Sequence, residues 1–221
     1  DADQFMHPLP DGPVEAVRGR VIGIRQRSRY LNAVSARVLA GDIDPIASIE
    51  GVARIETVRK LVRDPDEGVR KDPRRIDSAR ADDPWFARYG PSLDQLALTR
   101  SSDLLEMGYD GSGKLSGRDP VIICVMDTGF ELGHEAFSHL DVLAEYDFVD
   151  HDRSTGWQEG DYELQPAHGT TVLGAVAGYR EGELIGPAHG ARYILAKTEI
   201  QNEEIVIEED NWIAALEWAD S

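Results

Sequence analysis

Cysteine is almost absent from this sequence of 221 residues, which contains only Cys124. A single cysteine excludes an internal disulfide and a zinc site of the Cys-x-x-Cys kind. Cys124 stands within an apolar run, so we expect an unreactive core residue. No apolar run approaches the roughly 20 residues that a membrane-spanning helix needs. The sequence therefore predicts neither a disulfide framework nor a membrane span.

Basic residues are scarce in the second part of the chain. Residues 1–100 hold 17 Lys/Arg and 16 Asp/Glu, residues 101–221 hold 6 and 25, and the net charge of the chain is −18. Acidity of this size disfavours nucleic acid and anionic membranes as partners. It suits solubility outside the cell, although halophilic proteins share it. Hydrophobic residues make up 41% of the chain, which is enough for a core.

A short apolar run, Val121–Met126, is followed by Asp127, Thr128 and Gly129. Branched and soft apolar residues without charge are typical of a strand that is buried on both faces of a parallel sheet. Asp127 would then lie at the carboxyl end of the strand. Open α/β sheets place their ligands and catalytic groups at that end.

A second stretch, His168–Gly178, begins with a histidine and continues with small and apolar residues at near-helical spacing. We expect a helix that packs closely on the sheet, with His168 in its first turn and facing the same cleft as Asp127. An acid and a histidine in these positions are two members of a Ser-His-Asp triad. Imidazole can take a hydroxyl proton near neutral pH, and a buried acid fixes its tautomer.

Both stretches resemble the subtilisin-like serine proteases (subtilases, peptidase family S8). In that family the acid lies in an Asp-Thr-Gly or Asp-Ser-Gly turn, and the histidine opens a His-Gly-Thr-x-Val-x-Gly-x-x-Ala-Gly helix. Here the sequence reads Asp127-Thr-Gly and, later, His168-Gly-Thr-Thr-Val-Leu-Gly-Ala-Val-Ala-Gly. The resemblance covers roughly Tyr89 to the end of the chain. It implies an incomplete subtilisin-like α/β fold, a parallel sheet flanked by helices, with Asp127 and His168 as catalytic residues of a serine endopeptidase.

No serine stands in the Gly-Thr-Ser setting that the nucleophile of the family occupies. Four serines precede the acid in loop-like sequence: Ser101, Ser102, Ser112 and Ser116. The resemblance therefore implies an amino-terminal fragment in which the nucleophile and the oxyanion-hole asparagine lie beyond Ser221. We expect this chain alone to be inactive as a peptidase. Calcium is often found in the family, but the sequence identifies no calcium site, and we predict no metal ligands or cofactor.

Residues 1–62 have the pattern of a small α+β unit. We expect irregular structure over 1–16, strands at 19–24, 30–38 and 52–58, and a helix that begins near Asp44. This order resembles the inhibitory prosegment of subtilases, and an unrelated accessory domain is the alternative. The resemblance implies that the enzyme's own prosegment is one of its partners, beside a protein or peptide substrate.

The rest of the chain divides into a linker and a catalytic part. Residues 63–84 combine basic residues with aspartates and prolines, which predicts a basic linker. Residues 85–221 are expected to be the amino-terminal part of a subtilase catalytic domain. The resemblance implies an extracytoplasmic or secreted protein, although this chain has no signal peptide. Because residue 1 is Asp, we expect that the start is trimmed.

Two other functions remain open at this point. Asp127, His134 and His168 could contribute to a metallohydrolase site, although no His-Glu-x-x-His sequence is present. A non-catalytic subtilase-like binding or scaffold protein is the more serious alternative, because no nucleophile is visible. We expect His134 to have a structural role.

Overall fold

The computed structural model describes residues 11–58, 82–201 and 207–221. The chain forms two compact units, one from residues 1–62 and 204–221 and the other from residues 63–203. Expectations for residues 1–10, for residues 59–62 and for most of the predicted linker, 63–81, lie outside the described residues. In the described part of the chain, none of the helices combines the length and apolar character that crossing a bilayer requires.

The second unit is built on a three-stranded parallel sheet. Its strands are β3 (Ile122–Asp127), β4 (Asp141–Asp147) and β7 (Arg192–Lys197), in the order β3-β7-β4. The register pairs Lys197 with both Asp127 and Asp147, so the three strands end side by side. This arrangement confirms the predicted parallel sheet, and it brings three charged residues to its carboxyl edge.

Helix α6 (Ala167–Ala177) packs on this sheet and buries Leu173 and Ala177 completely. The core beneath it contains Val125, Phe130, Phe137, Tyr193 and Leu195. Strand β7 is more buried than β3 and β4, since it is central and paired on both sides. Strand β3 is paired on one side only, and Ile122 is 57% exposed. The expectation that β3 is buried on both faces therefore holds only toward its carboxyl end.

Three short helices precede β3 in the same unit: α3 (Pro84–Tyr89), α4 (Leu93–Leu98) and α5 (Ser101–Glu106). Their apolar side chains form a second cluster with Ile185 of β6 (Leu184–Ile185), which pairs with β5 (Tyr179–Arg180) in a small antiparallel ribbon. From the sequence we expect a short helix over Thr99 to Met107 with Leu104 and Leu105 facing inward. In α5, Leu105 is buried, but Leu104 is half exposed, so the expectation that both leucines face inward is wrong.

The first unit contains an antiparallel hairpin of β1 (Gly23–Ser28) and β2 (Ala33–Arg37). Helix α1 (Asp11–Arg18) precedes it and helix α2 (Ile43–Ala47) follows it. Helix α7 (Ile207–Ala219), from the end of the chain, contacts β1. Strand β2 lies within the predicted 30–38 and α2 begins next to Asp44 as expected, but β1 begins four residues later than the strand predicted at 19–24.

Two local expectations for the first unit are wrong. Residues 11–16 were expected to be irregular, but they belong to α1, because Pro13 is compatible with a first helical turn and Val14 and Val17 share one buried face. Residues 52–58 were expected to form a strand, but no strand is assigned there. Ile55 and Val58 stay about half exposed, so this segment lacks the burial that a strand of the core would have.

Candidate active site

Asp127 is the last residue of β3, and its side chain is 8% exposed. Its Oδ1 atom accepts hydrogen bonds from the backbone N–H of Thr128 (2.7 Å) and from the Thr128 hydroxyl (3.1 Å). Burying a carboxylate is costly unless it is hydrogen-bonded. These donors offset that cost and fix the orientation of the carboxyl group.

The turn after Asp127 requires glycine. Gly129 has φ +126°, a conformation that side-chain-bearing residues rarely adopt. A Cβ atom there would also lie 2.5 Å from the carbonyl oxygen of Thr155. That carbonyl accepts the backbone N–H of Phe130, which ties the turn to the loop before α6. The Asp-Thr-Gly sequence thus has a direct steric basis.

Helix α6 approaches this turn so closely that its third residue must also be glycine. A Cβ atom on Gly169 would lie 2.2 Å from the carbonyl oxygen of Gly129 and 3.0 Å from the Cβ atom of Asp127. The backbone N–H of Gly169 donates to the Thr128 hydroxyl (3.1 Å), which itself donates to Asp127. Thr128 therefore connects the start of α6 to the acid, a role that sequence reasoning missed.

His168 lies in the first turn of α6, as predicted, and its Nδ1 atom is 2.8 Å from Oδ1 of Asp127. An ionised carboxylate only accepts hydrogen bonds, so Nδ1 carries the proton and donates. The His168 side chain is 52% exposed. Among the described residues, nothing is hydrogen-bonded to its Nε2 atom. Nε2 is therefore the nitrogen that can accept a proton from a substrate or a nucleophile.

Gln165 supports the segment that leads into α6 and is 1% exposed. Its side-chain N–H groups donate to the backbone oxygens of Thr128 (2.8 Å) and Glu199 (2.7 Å), and its oxygen accepts from the N–H of Gln201 (3.0 Å). All of its polar atoms are thus used to hold backbone around the site. The partners of Gln165 are distant along the chain, so the sequence alone did not predict this role.

The four serines considered in the sequence analysis lie away from this pair. Ser101 and Ser102 begin α5, and Ser112 and Ser116 lie in the turn before β3, at the opposite end of that strand from Asp127. Within the described residues, no serine is hydrogen-bonded to His168. The described part of the chain thus holds an acid and a base together, without a nucleophile next to them.

His134 has a local structural contact. Its Nδ1 atom accepts the backbone N–H of Ala136 (3.2 Å) at the start of the short turn Glu135–Phe137. Among the residues that the structure describes, no group of three or more His, Cys, Asp or Glu side chains is arranged to hold a metal ion. Asp127 and His168 form an acid–histidine pair whose geometry suits proton transfer.

This fold and site define an α/β protein with an acid–histidine pair at the carboxyl edge of a parallel sheet. Residues 118–219 match the model of the subtilase family. The matched segment, which includes His168, is therefore subtilase-like, and the resemblance inferred from the motifs is confirmed. The matched segment ends at the last residue of α7 and does not include the hairpin of the first unit.

The structure is similar to that of fervidolysin from Fervidobacterium pennivorans, described as a keratinolytic enzyme related to subtilisin. The TM-score is 0.54 and the identity 20%, over 95% of this chain and 32% of fervidolysin. The chain thus spans about a third of that protein's length, and the likeness shows a subtilisin-like fold. Among the curated proteins, no match to this chain was found.

The packing of α6 against the Asp127 turn yields a test on the chain itself. Gly169→Ala should displace His168 from Asp127, because the added methyl group collides with the Gly129 carbonyl. The Nδ1 proton of His168, shifted to low field by its hydrogen bond to the carboxylate, should then disappear from the proton NMR spectrum. Gly156→Ala is the matched control, since its Cβ atom would meet only an ordinary contact at 3.7 Å. A folded Gly169→Ala chain that keeps the low-field proton would contradict this packing argument.

Proposed function

We propose that this chain contributes the acid and the base of a serine endopeptidase that hydrolyses peptide bonds with an Asp-His-Ser triad. The observation that carries the proposal is the hydrogen bond between His168 Nδ1 and Asp127 Oδ1, with Nε2 open, inside a segment that matches the subtilase family. The nucleophilic serine and the oxyanion-hole asparagine are supplied by residues outside this sequence.

The geometry assigns a role to each member of the pair. Nε2 of His168 takes the proton of the serine hydroxyl as that oxygen attacks the scissile carbonyl, and later delivers it to the leaving amine. Asp127 keeps the proton on Nδ1, which leaves Nε2 basic, and its charge stabilises the imidazolium that forms. Thr128 and His168 together donate three hydrogen bonds to Oδ1 of Asp127, which hold the carboxylate in place against the imidazole.

The test uses the longer protein that this proposal implies. His168→Asn should lower kcat for peptide hydrolysis by about three or more orders of magnitude, because asparagine cannot accept the serine proton and triad members act as a unit. His151→Asn is the control, since His151 is exposed and lies outside the pair. Equal activity in the two variants would contradict the mechanism. A longer protein that binds peptides but does not cleave them would be a subtilase-like binding or scaffold protein instead.

We further propose that residues 1–62 are an inhibitory prosegment, residues 63–84 the segment that is cut, and residues 85–221 part of the catalytic domain. Helix α7 supports this division, because it lies in the family match at 118–219 yet packs on the hairpin of the first unit. The contact between the hairpin and α7 would then be the contact between prosegment and enzyme.

Glu217 of α7 is the centre of that contact. Its carboxylate accepts hydrogen bonds from the Ser28 hydroxyl (2.5 Å) and from the backbone N–H groups of Arg29 (2.9 Å) and Tyr30 (3.1 Å). Ser28 is the last residue of β1, and Arg29 and Tyr30 begin the loop between the two strands of the hairpin. Burial raises the pKa of Glu217, but the three hydrogen bonds and the Arg29 charge outweigh it and lower the pKa below its ordinary value.

The lowered pKa fixes the direction of the pH dependence. Stabilisation by an ionised Glu217 is fully present above the unfolded pKa of about 4.3 and is lost as the pH falls through the lower folded value. The contact between the hairpin and α7 should therefore persist at neutral pH and weaken in acid. Most other charges of the first unit are exposed, so salt should change the rate of association more than the final contact.

Adding a 1–62 peptide to the longer protein from which those residues have been removed tests the prosegment proposal. We expect inhibition that persists at high salt, weakens below about pH 4, and is about tenfold or more weaker in Glu217→Gln, because hydrogen bonds to a charged group contribute about 1.5–3 kcal/mol. Glu209→Gln in the same helix is the control. A folded peptide that does not inhibit at micromolar concentration would make residues 1–62 an accessory domain.

The chemistry of the proposed enzyme fits a protein or peptide substrate encountered outside the cytoplasm. The strongly acidic part of the chain disfavours binding to nucleic acid and to anionic membranes. An inhibitory prosegment would also keep the peptidase inactive until it reaches its place of action. We therefore propose an extracytoplasmic or secreted protein.

A further inference from the structure

Lys197 is a fully buried cation at the carboxyl edge of the parallel sheet. It is the last residue of the central strand β7 and stands in register between Asp127 of β3 and Asp147 of β4. Its side chain is 0% exposed. A lysine is almost never fully buried unless it is paired, so its partners define what it does.

Three carboxylates surround the Lys197 ammonium group. Nζ lies 2.8 Å from Asp147, 3.3 Å from Asp150 and 3.0 Å from Asp161. Asp147 is itself fully buried and accepts the backbone N–H groups of Val149 and Asp150. One cation therefore joins the end of β4, the turn that follows it, and the loop that leads to α6.

The protonation of Lys197 is secured by these partners. Burial lowers the pKa of Lys197, but hydrogen bonds to Asp147 and Asp161 outweigh it and raise the pKa above its ordinary value. The ammonium group is therefore charged throughout the neutral and mildly alkaline range. Without it, the buried Asp147, the largely buried Asp161 and the half-exposed Asp150 would face one another with no positive charge between them.

Two connections link this cluster to the acid–histidine pair. The aliphatic stem of Lys197 lies beneath the Asp127 turn, since a Cβ atom on Gly129 would be 3.6 Å from its Cδ atom. Asp161 lies four residues before Gln165, in the loop that leads into α6. The Gln165 side chain donates a hydrogen bond to the carbonyl oxygen of Thr128, the residue that follows Asp127. The stem thus supports the acid from below, and the ammonium group holds the loop that delivers the histidine.

We propose that Lys197 is a positioning residue for the His168–Asp127 pair, which it aligns by packing under the Gly129 turn and by binding Asp147, Asp150 and Asp161. The inference rests on the proposed function, because the alignment matters for catalysis only if the pair belongs to a peptidase. It concerns the alignment of two side chains that this chain contains, so it can be tested without any peptidase activity. Lys197 itself touches neither side chain by a hydrogen bond.

The test compares Lys197→Met with Lys114→Met in the chain as given. Methionine keeps most of the aliphatic stem and removes the ammonium group. Lys114 is exposed, in the turn before the amino end of β3, so its substitution changes the net charge equally and far along the strand from the pair. We expect Lys197→Met to lose the low-field Nδ1 proton of His168, and Lys114→Met to keep it.

A second variant covers the case in which Lys197→Met does not fold. Asp161→Asn removes one of the three negative charges and leaves Lys197 in place, so the loop to α6 loses part of its anchor. We expect the Nδ1 proton to broaden through faster exchange with water, while the backbone amide spectrum of β3 and β7 stays unchanged.

A low-field proton unchanged in both folded variants would overturn the positioning role and reduce Lys197 to a structural ion pair. That result would leave the proposed peptidase function intact, because it concerns alignment and not the identity of the base. Conversely, loss of the proton in Lys197→Met would support positioning even if the longer protein proved to be a binding protein.

Discussion

The close approach of two backbone segments, the turn at Gly129 and the first turn of α6, is the constraint on which the site depends. Only glycine at position 169 allows the helix to start against the turn, and only glycine at position 129 allows the turn to fold beneath it. This contact sets the distance between Asp127 and His168. The packing of these two backbone segments thus brings the side chains of Asp127 and His168 within hydrogen-bonding distance.

The surroundings of the two side chains differ in a way that suits their proposed roles. The acid is nearly buried and receives its hydrogen bonds from Thr128 and His168, so its position is fixed in advance. The base is half exposed, with one nitrogen engaged and the other open. Preorganised charge in a protected position, next to an accessible proton acceptor, is what acyl transfer by a serine requires.

Much of the site could be predicted from the sequence, because its signals are local. The uncharged run before Asp127 predicted β3, the small residues after His168 predicted α6, and the resemblance of both motifs to subtilases implied a parallel α/β sheet. The strand expected at 52–58 and the inward-facing Leu104 were wrong for one reason. Alternating or apolar residues indicate a buried face only where tertiary partners cover it, and here they remain largely exposed.

Thr128, Gln165 and Lys197 could not be found by the same reasoning, since their roles depend on partners far away in the sequence. Gln165 holds backbone at Thr128, Glu199 and Gln201, and Lys197 joins carboxylates that lie 36 to 50 residues earlier in the chain. A lone lysine at the end of an apolar strand predicts a solvated strand end. Only the register of the sheet shows that it closes a charged cluster.

The most direct test of the central claim is labelling of the longer protein with a serine-directed phosphonofluoridate, followed by mass spectrometry. If His168 and Asp127 activate a serine, one serine outside residues 1–221 should be phosphonylated in the unmodified protein, and labelling should be abolished or greatly slowed in His168→Asn. Absence of labelling, or labelling at the same rate in both proteins, would contradict the account.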